Sequence, residues 1–349
     1  MTQPTTLALS LCALLATASA QAAPPLQLQS VRTDRPIAID GTVDPAWSKA
    51  TPLKLSLDEL PYKPSTGYDG MKSTEVELRA LYDDEHVYFL LRYKDPTESL
   101  QRFPWVKQAD GSWKQMSNKD TTGHENTWYE DKLALFWNIN QKGFEKKGCD
   151  MSCHLNKDGQ VEGVPDTSSG RHYTKDKGET LDMWHWKSTR TGPVGQADDQ
   201  YVDAGRQESK GWGRHTDAGS GGYYENKSAD GKRPAWMNGP SVTAHRHLTR
   251  EDSKVAFKDS FKPGDVINGV VAKPIDGSRG DLAARGVWKD GYRTLEIKRQ
   301  LVTKGDKAAE QDVQFADLDK TYHFGLTVFD HTQINHLFHK KSVAFTFKR

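Results

Sequence analysis

The chain has 349 residues, 35% of them hydrophobic and 10% aromatic, with ten tryptophans and a formal net charge of +1. That composition suits a folded chain with one large core or two small ones. No Lys/Arg run stands out, so neither a nucleic-acid backbone nor an anionic membrane surface is implied as partner.

Taken in chain order, the first feature is the apolar stretch Leu7 to Ala20, 14 residues ending in small side chains. It is too short to span a bilayer and reads as a secretory leader, residues 1–22, with Ala18-Ser19-Ala20 or Ala20-Gln21-Ala22 as cleavage signal. Its n-region lacks Lys and Arg, a departure from the usual pattern. Cys12 follows Leu11, not a small residue, which argues against a lipid anchor. No later segment reads as membrane-spanning. The expectation is an exported, periplasmic protein whose mature part, 26–349, forms a single domain.

Strand signals follow. Glu75 to Ala80 alternates polar with apolar, Asp83-Asp84-Glu85 turns the chain, and Val87, Phe89, Leu91 and Tyr93 resume the period of two, predicting a hairpin. Lys132 to Ile139 points Leu133, Leu135, Trp137 and Ile139 one way. Later strands are predicted at Tyr292–Arg299, Tyr322–Phe329 and Ser342–Lys348. No long segment keeps a 3.6-residue period, so the fold class is mostly β, an antiparallel β-sandwich. Between about 141 and 253 the pattern changes to Gly, Lys, Asp, Ser, His and Trp with few alternating runs. Aromatic residues there argue against plain disorder, and a long loop-rich insertion closing around something is expected.

Inside that insertion stands the chemically loudest stretch, Gly148-Cys149-Asp150-Met151-Ser152-Cys153-His154. Loss of the leader removes Cys12 and leaves two thiols, both here. A Cys149–Cys153 disulfide would close a very small loop and gain little entropy. A zinc site would have to recruit distant histidines, and a dithiol redox motif has two intervening residues, not three. Covalent haem wants two thiols and a histidine directly after the second, usually with two residues between the thiols; here there are three. On spacing alone haem, disulfide and metal all stay open.

A wider set of motifs resembles the haem-binding domain family of the ethylbenzene dehydrogenase γ-subunit, which also includes cytochrome c-552-type proteins and subunits of dimethyl sulfoxide reductase-like complexes. The matching stretches are Ile39–Trp47, Leu78–Asp95, Glu130–Ile139, Gly148–His154, Asp182–Arg190, Gly277–Asp281 and Gly291–Leu301. The resemblance runs from about Val31 to the C-terminus. It implies a sandwich of carbohydrate-binding-module type with haem held in loops at one end, and a c-type subset using this three-residue spacing. It further implies one covalent haem c on Cys149 and Cys153, with His154 as proximal ligand.

Distal candidates then divide. Members of the family take one axial ligand from the attachment region and another from a segment well downstream. Met237, 83 positions beyond His154, is the first choice and packing under Trp236 its bland alternative. His185 is second, with Trp184 and Trp186 as cofactor-contacting neighbours. Lys187 and Arg190 are candidates for the haem propionates. His245 and His247 alternate but lack a carboxylate or thiol partner nearby; His331, His336 and His339 read as structural. The function expected is electron transfer without catalysis, toward a molybdoenzyme subunit, a soluble cytochrome or a quinol-oxidising complex. A five-coordinate haem sensor or small-ligand enzyme is the alternative, and a carbohydrate-binding module ranks third.

Overall fold

The computed structural model describes residues 26–61, 68–120, 123–152, 172–205, 212–239 and 249–349. The leader-like segment, with Cys12, lies outside them. One large sheet dominates, built from 13 strands. They are β1 (Gln27–Arg32), β2 (Leu53–Leu57), β3 (Thr74–Tyr82), β4 (His86–Lys94), β5 (Lys132–Asn138), β6 (Leu181–Lys187) and β7 (Asp198–Val202). β8 (Arg214–Thr216), β9 (Ala283–Lys289), β10 (Tyr292–Gln300), β11 (Tyr322–Phe329), β12 (Leu337–Phe338) and β13 (Val343–Lys348) complete it.

Across the sheet the order is β8-β7-β6-β5-β11-β13-β1-β3-β4-β10-β9, with β2 beside β3 and β12 beside β11. Two pairings are parallel, β1 with β13 and β1 with β3. The sheet folds over on itself, so strands far apart in that order meet face to face. Phe89 of β4 lies 5.6 Å from Trp137 of β5, 5.7 Å from Trp184 of β6 and 5.3 Å from Phe345 of β13, ring centre to ring centre. That interleaving of two inner faces defines a β-sandwich. The molecule is mostly β, and the two α-helical segments among the described residues are four residues each.

The predicted hairpin is β3–β4, with the Asp83 carboxylate accepting the Glu85 and His86 amides to set the turn. The Asp44-Pro45-Ala46-Trp47 motif opens a 3-10 turn: Asp44 caps the Ala46 amide at 2.8 Å and Pro45 fixes the first position. Trp47 is thereby buried, its indole N–H donating to Glu296 Oε1 on β10.

The interval 141–253 is more regular than its sequence suggests. Among its described residues are β6, β7 and β8 of the main sheet and the short strands Gly221–Glu225, Trp236–Asn238 and Thr249–Arg250. Polar residues that read as loop are here buried strand. β6 is buried at every position, Leu181 through Lys187.

Candidate functional site

β6 sorts its side chains by the pleat. Asp182, Trp184 and Trp186 point into the sandwich, where Trp184 packs on Trp137 and Phe315. Leu181, Met183, His185 and Lys187 face the other way. Neighbouring strands supply the rest of that outer face: Ala134 and Phe136 from β5, Thr327 and Phe329 from β11, Gln200 from β7 and Arg214 from β8.

The Cys149 segment lies on this same face. The turn Phe144–Lys147 leads into the 3-10 turn Gly148–Met151, and Cys149 is wholly buried in a cluster with Ala134, Phe136, Phe144, Leu181, Met183 and Phe338. Two glycines permit the approach. Gly148 has φ +58, and a Cβ there would come within 2.7 Å of the Ser342 amide nitrogen. Gly325, in the middle of β11, lies directly under the thiol, and a Cβ there would sit 2.4 Å from Cys149 Sγ.

Beside this cluster is a small cavity lined by Phe136, Met183, His172, His185, His336 and Arg214 among others. It measures about 90 Å³, below the ~300–1,000 Å³ of ordinary ligand pockets. A porphyrin would need the Cys149 side of it as well; residues 153–171 lie outside the described residues. A larger cleft of about 440 Å³ opens on the Trp186 side of β6, lined by no histidine, cysteine or methionine.

The three histidines of the small cavity differ in what they present. Arg214 Nη2 lies 3.1 Å from His185 Nδ1. Guanidinium nitrogens only donate, so Nδ1 must accept and the ring proton sits on Nε2. That Nε2 is buried without a hydrogen-bond partner. Burial, then the cations Lys187, Arg214, Lys132 and Arg190, push the imidazole well below its ordinary pKa, so it is neutral. As placed, His185 offers a donor and not a lone pair. His336 is set the opposite way: its Nδ1 lies 2.7 Å from the Ile334 carbonyl, which can only accept, so Nδ1 carries a proton and, in the neutral ring, Nε2 carries the lone pair. A second nitrogen tied to a carbonyl is the usual arrangement behind a metal-ligating imidazole. His172 Nδ1 is buried without a hydrogen-bond partner.

The cavity is also electropositive. Lys132 is buried, and its ammonium meets only the Gln333 carbonyl at 2.8 Å and the faces of Phe329 and Tyr129. Burial, then repulsion by Arg190, pushes it well below the ordinary lysine pKa. Among the described residues no carboxylate lies at ion-pair distance from Lys132, so its burial favours either the neutral amine or an added anion.

Other residues singled out in the sequence fall elsewhere. Trp184 belongs to the sandwich core and Trp186 borders the larger cleft. Lys187 forms a buried ion pair with Asp198, and Arg190 with Glu130, so both cations are committed to protein carboxylates. Met237 lies in a separate cluster with Trp105, Trp113 and Ile267, and the Lys258 amide approaches its Sδ at 3.4 Å. The structure brings Met183, His185, His172 and His336 to the Cys149 side, and does not bring Met237 into that cluster. Cys153, His154, His245 and His247 lie outside the described residues. His331 is paired with Asp330 and Asp69, and His339 Nδ1 with the Ser56 carbonyl. Gly325 was not singled out from the sequence, although a glycine inside the strand run Tyr322–Phe329 is a readable sign of close approach.

A β-sandwich carrying a buried cysteine turn on the outer face of one half is the class that fold and site define. The chain belongs to the ethylbenzene dehydrogenase family, whose model matches residues 44–341. No curated protein matches it. Among solved structures it is similar to a family 9 carbohydrate-binding module from Caldicellulosiruptor kristjanssonii in complex with glucose, at 9% identity over 93% of this chain and 95% of that one, TM-score 0.33. The same module with cellotriose gives 11% identity, 92% and 94% coverage and TM-score 0.32. A putative carbohydrate-binding protein from Bacteroides uniformis gives 8% identity, 93% and 99% coverage and TM-score 0.31. Among the described residues no helix is long and apolar enough to cross a membrane.

Proposed function

We propose that this chain is an exported monohaem c-type cytochrome that passes electrons in a periplasmic redox chain and performs no catalysis of its own. Cys149 and Cys153 would carry the thioether links, with His154 as proximal ligand. The observation that carries the reading is the burial of Cys149 on the outer face of β5, β6 and β11, beside a histidine-lined, electropositive cavity. Membership of a redox-enzyme family supports it.

The donor set suits an iron porphyrin. Ala134, Phe136 and Met183 form an apolar wall next to the thiol. Lys132 and Arg214 would meet the propionate carboxylates, the role expected of Lys187 and Arg190. His336, with Nδ1–H held by a carbonyl, would give the distal nitrogen. A bound haem would supply one-electron exchange, and two protein ligands would leave no open position for substrate. Partners of matching chemistry are an iron–sulfur subunit of a molybdoenzyme, a soluble cytochrome or a quinol-oxidising complex.

The carbohydrate-module reading loses its main support. Seven of the ten tryptophans are buried and Trp128, Trp236 and Trp288 are half-buried, whereas a stacking platform must offer a ring face to solvent.

The test is an absorption spectrum and an intact mass of protein matured in a haem-lyase-competent periplasm. A Soret band that resists acid–acetone extraction, with a mass one porphyrin above the mature polypeptide, is expected. A colourless protein of bare polypeptide mass would end the reading.

A further inference from the structure

Away from that face, at the edge where the folded sheet's two ends approach each other, a second group of side chains converges. Asp182 of β6 and Asp199 of β7 point inward, Asp217 follows β8, Asp312 follows the turn Ala308–Gln311, and Arg299 of β10 stands among them. One carboxylate oxygen each from Asp199, Asp217 and Asp312 lies within 4.8 Å of the others. All three residues are buried. The single guanidinium is 3.4 Å from Asp312, 3.5 Å from Asp182 and 3.6 Å from Asp199.

What marks this group is hydrogen-bond starvation. Both oxygens of Asp217, Oδ2 of Asp199 and Oδ1 of Asp312 are buried without a hydrogen-bond partner. Outside the triad, Asp182 Oδ1 is in the same condition on a residue with no exposure at all, and so is Asp281 Oδ1. A second acidic triad in the molecule shows that this is not the general rule. Asp95, Asp131 and Asp330 are equally buried and equally close, but Arg293 bridges Asp95 and Asp131. The Ser99 and His331 amides donate to Asp131, the Met71 amide to Asp330, and the His331 ring pairs with Asp330. Around Asp199, Asp217 and Asp312 the protein's own donors are fewer: Thr303 Oγ1 reaches Asp312 Oδ2, the Gln200 amide reaches Asp199 Oδ1 and Arg299 faces Asp199 and Asp312, while the other oxygens receive none.

Buried carboxylates in excess of cations must take up protons or a positive ion. We propose that Asp199, Asp217 and Asp312, backed by Asp182 and Asp281, hold one divalent hard cation of the calcium class. The donors are oxygen only, with no imidazole or thiolate, which selects against zinc and copper. Calcium tolerates an irregular set of carboxylates better than magnesium, which demands near-octahedral geometry and keeps its waters. The ion would staple β7 and the end of β8 to the segment that follows the turn Ala308–Gln311, tying the connection between β10 and β11 to the other end of the sheet. Without it, burial first and then the neighbouring carboxylates push Asp217 up to about 9 and Asp199 well above the ordinary carboxylate range. Binding would therefore release protons.

The experiment is equilibrium dialysis of the full chain, stripped on chelating resin, against calcium alone and magnesium alone, with thermal unfolding of the same samples. One calcium per chain, a Tm several degrees higher with calcium than with chelator, and a weaker response to magnesium are expected. Asp217→Asn, which keeps the side chain's shape, should weaken calcium binding by about tenfold or more; Asp281→Asn serves where that variant does not fold. A stripped chain that takes up no calcium and unfolds at the same temperature with and without it overturns the proposal, the triad then sharing protons only. Stoichiometric binding unchanged in a folded Asp217→Asn or Asp281→Asn overturns it as well.

Discussion

Gly325 and Cys149 are in direct opposition: the glycine Cα lies beneath the thiol, and the Cβ of any other residue would stand 2.4 Å from Sγ. Nothing in the backbone of β11 requires glycine at that position, since its φ is ordinary for a strand. The requirement comes from the cysteine above. Gly325→Ala should lift the Cys149 turn off the sheet, costing about 1–3 kcal/mol as an overpacked contact. Under the proposed function it should also lower the fraction of chain carrying covalent haem. Urea unfolding reads the first effect and intact mass the second. Full attachment at wild-type stability would show that the thiol does not lie where the structure puts it.

The distal side can be separated by two substitutions. Met237 packs against Trp105 and Trp113, away from the Cys149 cluster, so Met237→Leu should leave the visible and near-infrared bands of the matured protein unchanged. His336→Ala should abolish the near-infrared charge-transfer band of the native ligand pair and open the iron to carbon monoxide. The reverse outcome, a spectrum altered by Met237→Leu and indifferent to His336→Ala, would return the distal role to the methionine.

These placements show where the sequence was legible and where it was not. The β3–β4 hairpin alternates because one face is buried and the other less so over much of its length, and period-two reading finds it. β6 does not alternate in that sense. Both faces of Asp182-Met183-Trp184-His185-Trp186-Lys187 are buried, so the contrast that marks a strand is erased. The charges of β7 are hidden in the same way: Asp198 pairs with Lys187 and Arg279, and Asp199 faces Arg299. Lys187 and Arg190 read as free cations because their partners, Asp198 and Glu130, are remote in sequence or on another strand. Counting positions from His154 favoured Met237, yet separation along a folded chain carries no distance. The tautomer of His336 depends on the Ile334 carbonyl, an atom that no side-chain pattern reports.

Arg293 offers a test of the compensated acidic triad. Its guanidinium reaches Asp131 at 2.5 Å and Asp95 at 3.2 Å, with all three residues buried. Burial raises both carboxyls, Asp131 to about 8 and Asp95 to about 6, with Arg293 opposing the rise. Removing the cation leaves any ionised carboxyl of the pair buried without charge compensation, a loss of up to about 3–5 kcal/mol. Arg293→Met, which keeps the packing against Trp186, should therefore destabilise strongly at neutral pH and less in mild acid, where protons replace the missing charge. Urea midpoints at two pH values measure it, and a loss that does not shrink on acidification would refute the account.

His331 gives a pH dependence of known sign. Its ring nitrogens lie 2.7 Å from Asp330 and 2.7 Å from Asp69, one buried and one exposed carboxylate. Burial disfavours the charged ring, but the two carboxylates outweigh it and raise the pKa to about 9. The unfolded value is the ordinary one of ~6.5. A raised folded pKa means that the native state binds the proton more tightly, so the contribution is fully present below the unfolded value and fades as pH climbs through the folded one. His331→Gln should thus cost most near pH 6 and little above pH ~9.5, the two unfolding curves converging across that window. The neighbours facing the ring are Tyr68, whose hydroxyl is pushed well above its ordinary value by burial and then by Asp330, and the Asp131 carboxylate bonded to the His331 amide. Tyr68 does not titrate in the window. Asp131 does, so its contribution must be read from the variant, in which it persists. Parallel curves for wild type and His331→Gln from pH 6 to 9.5 would show that the ring is neutral in the folded protein.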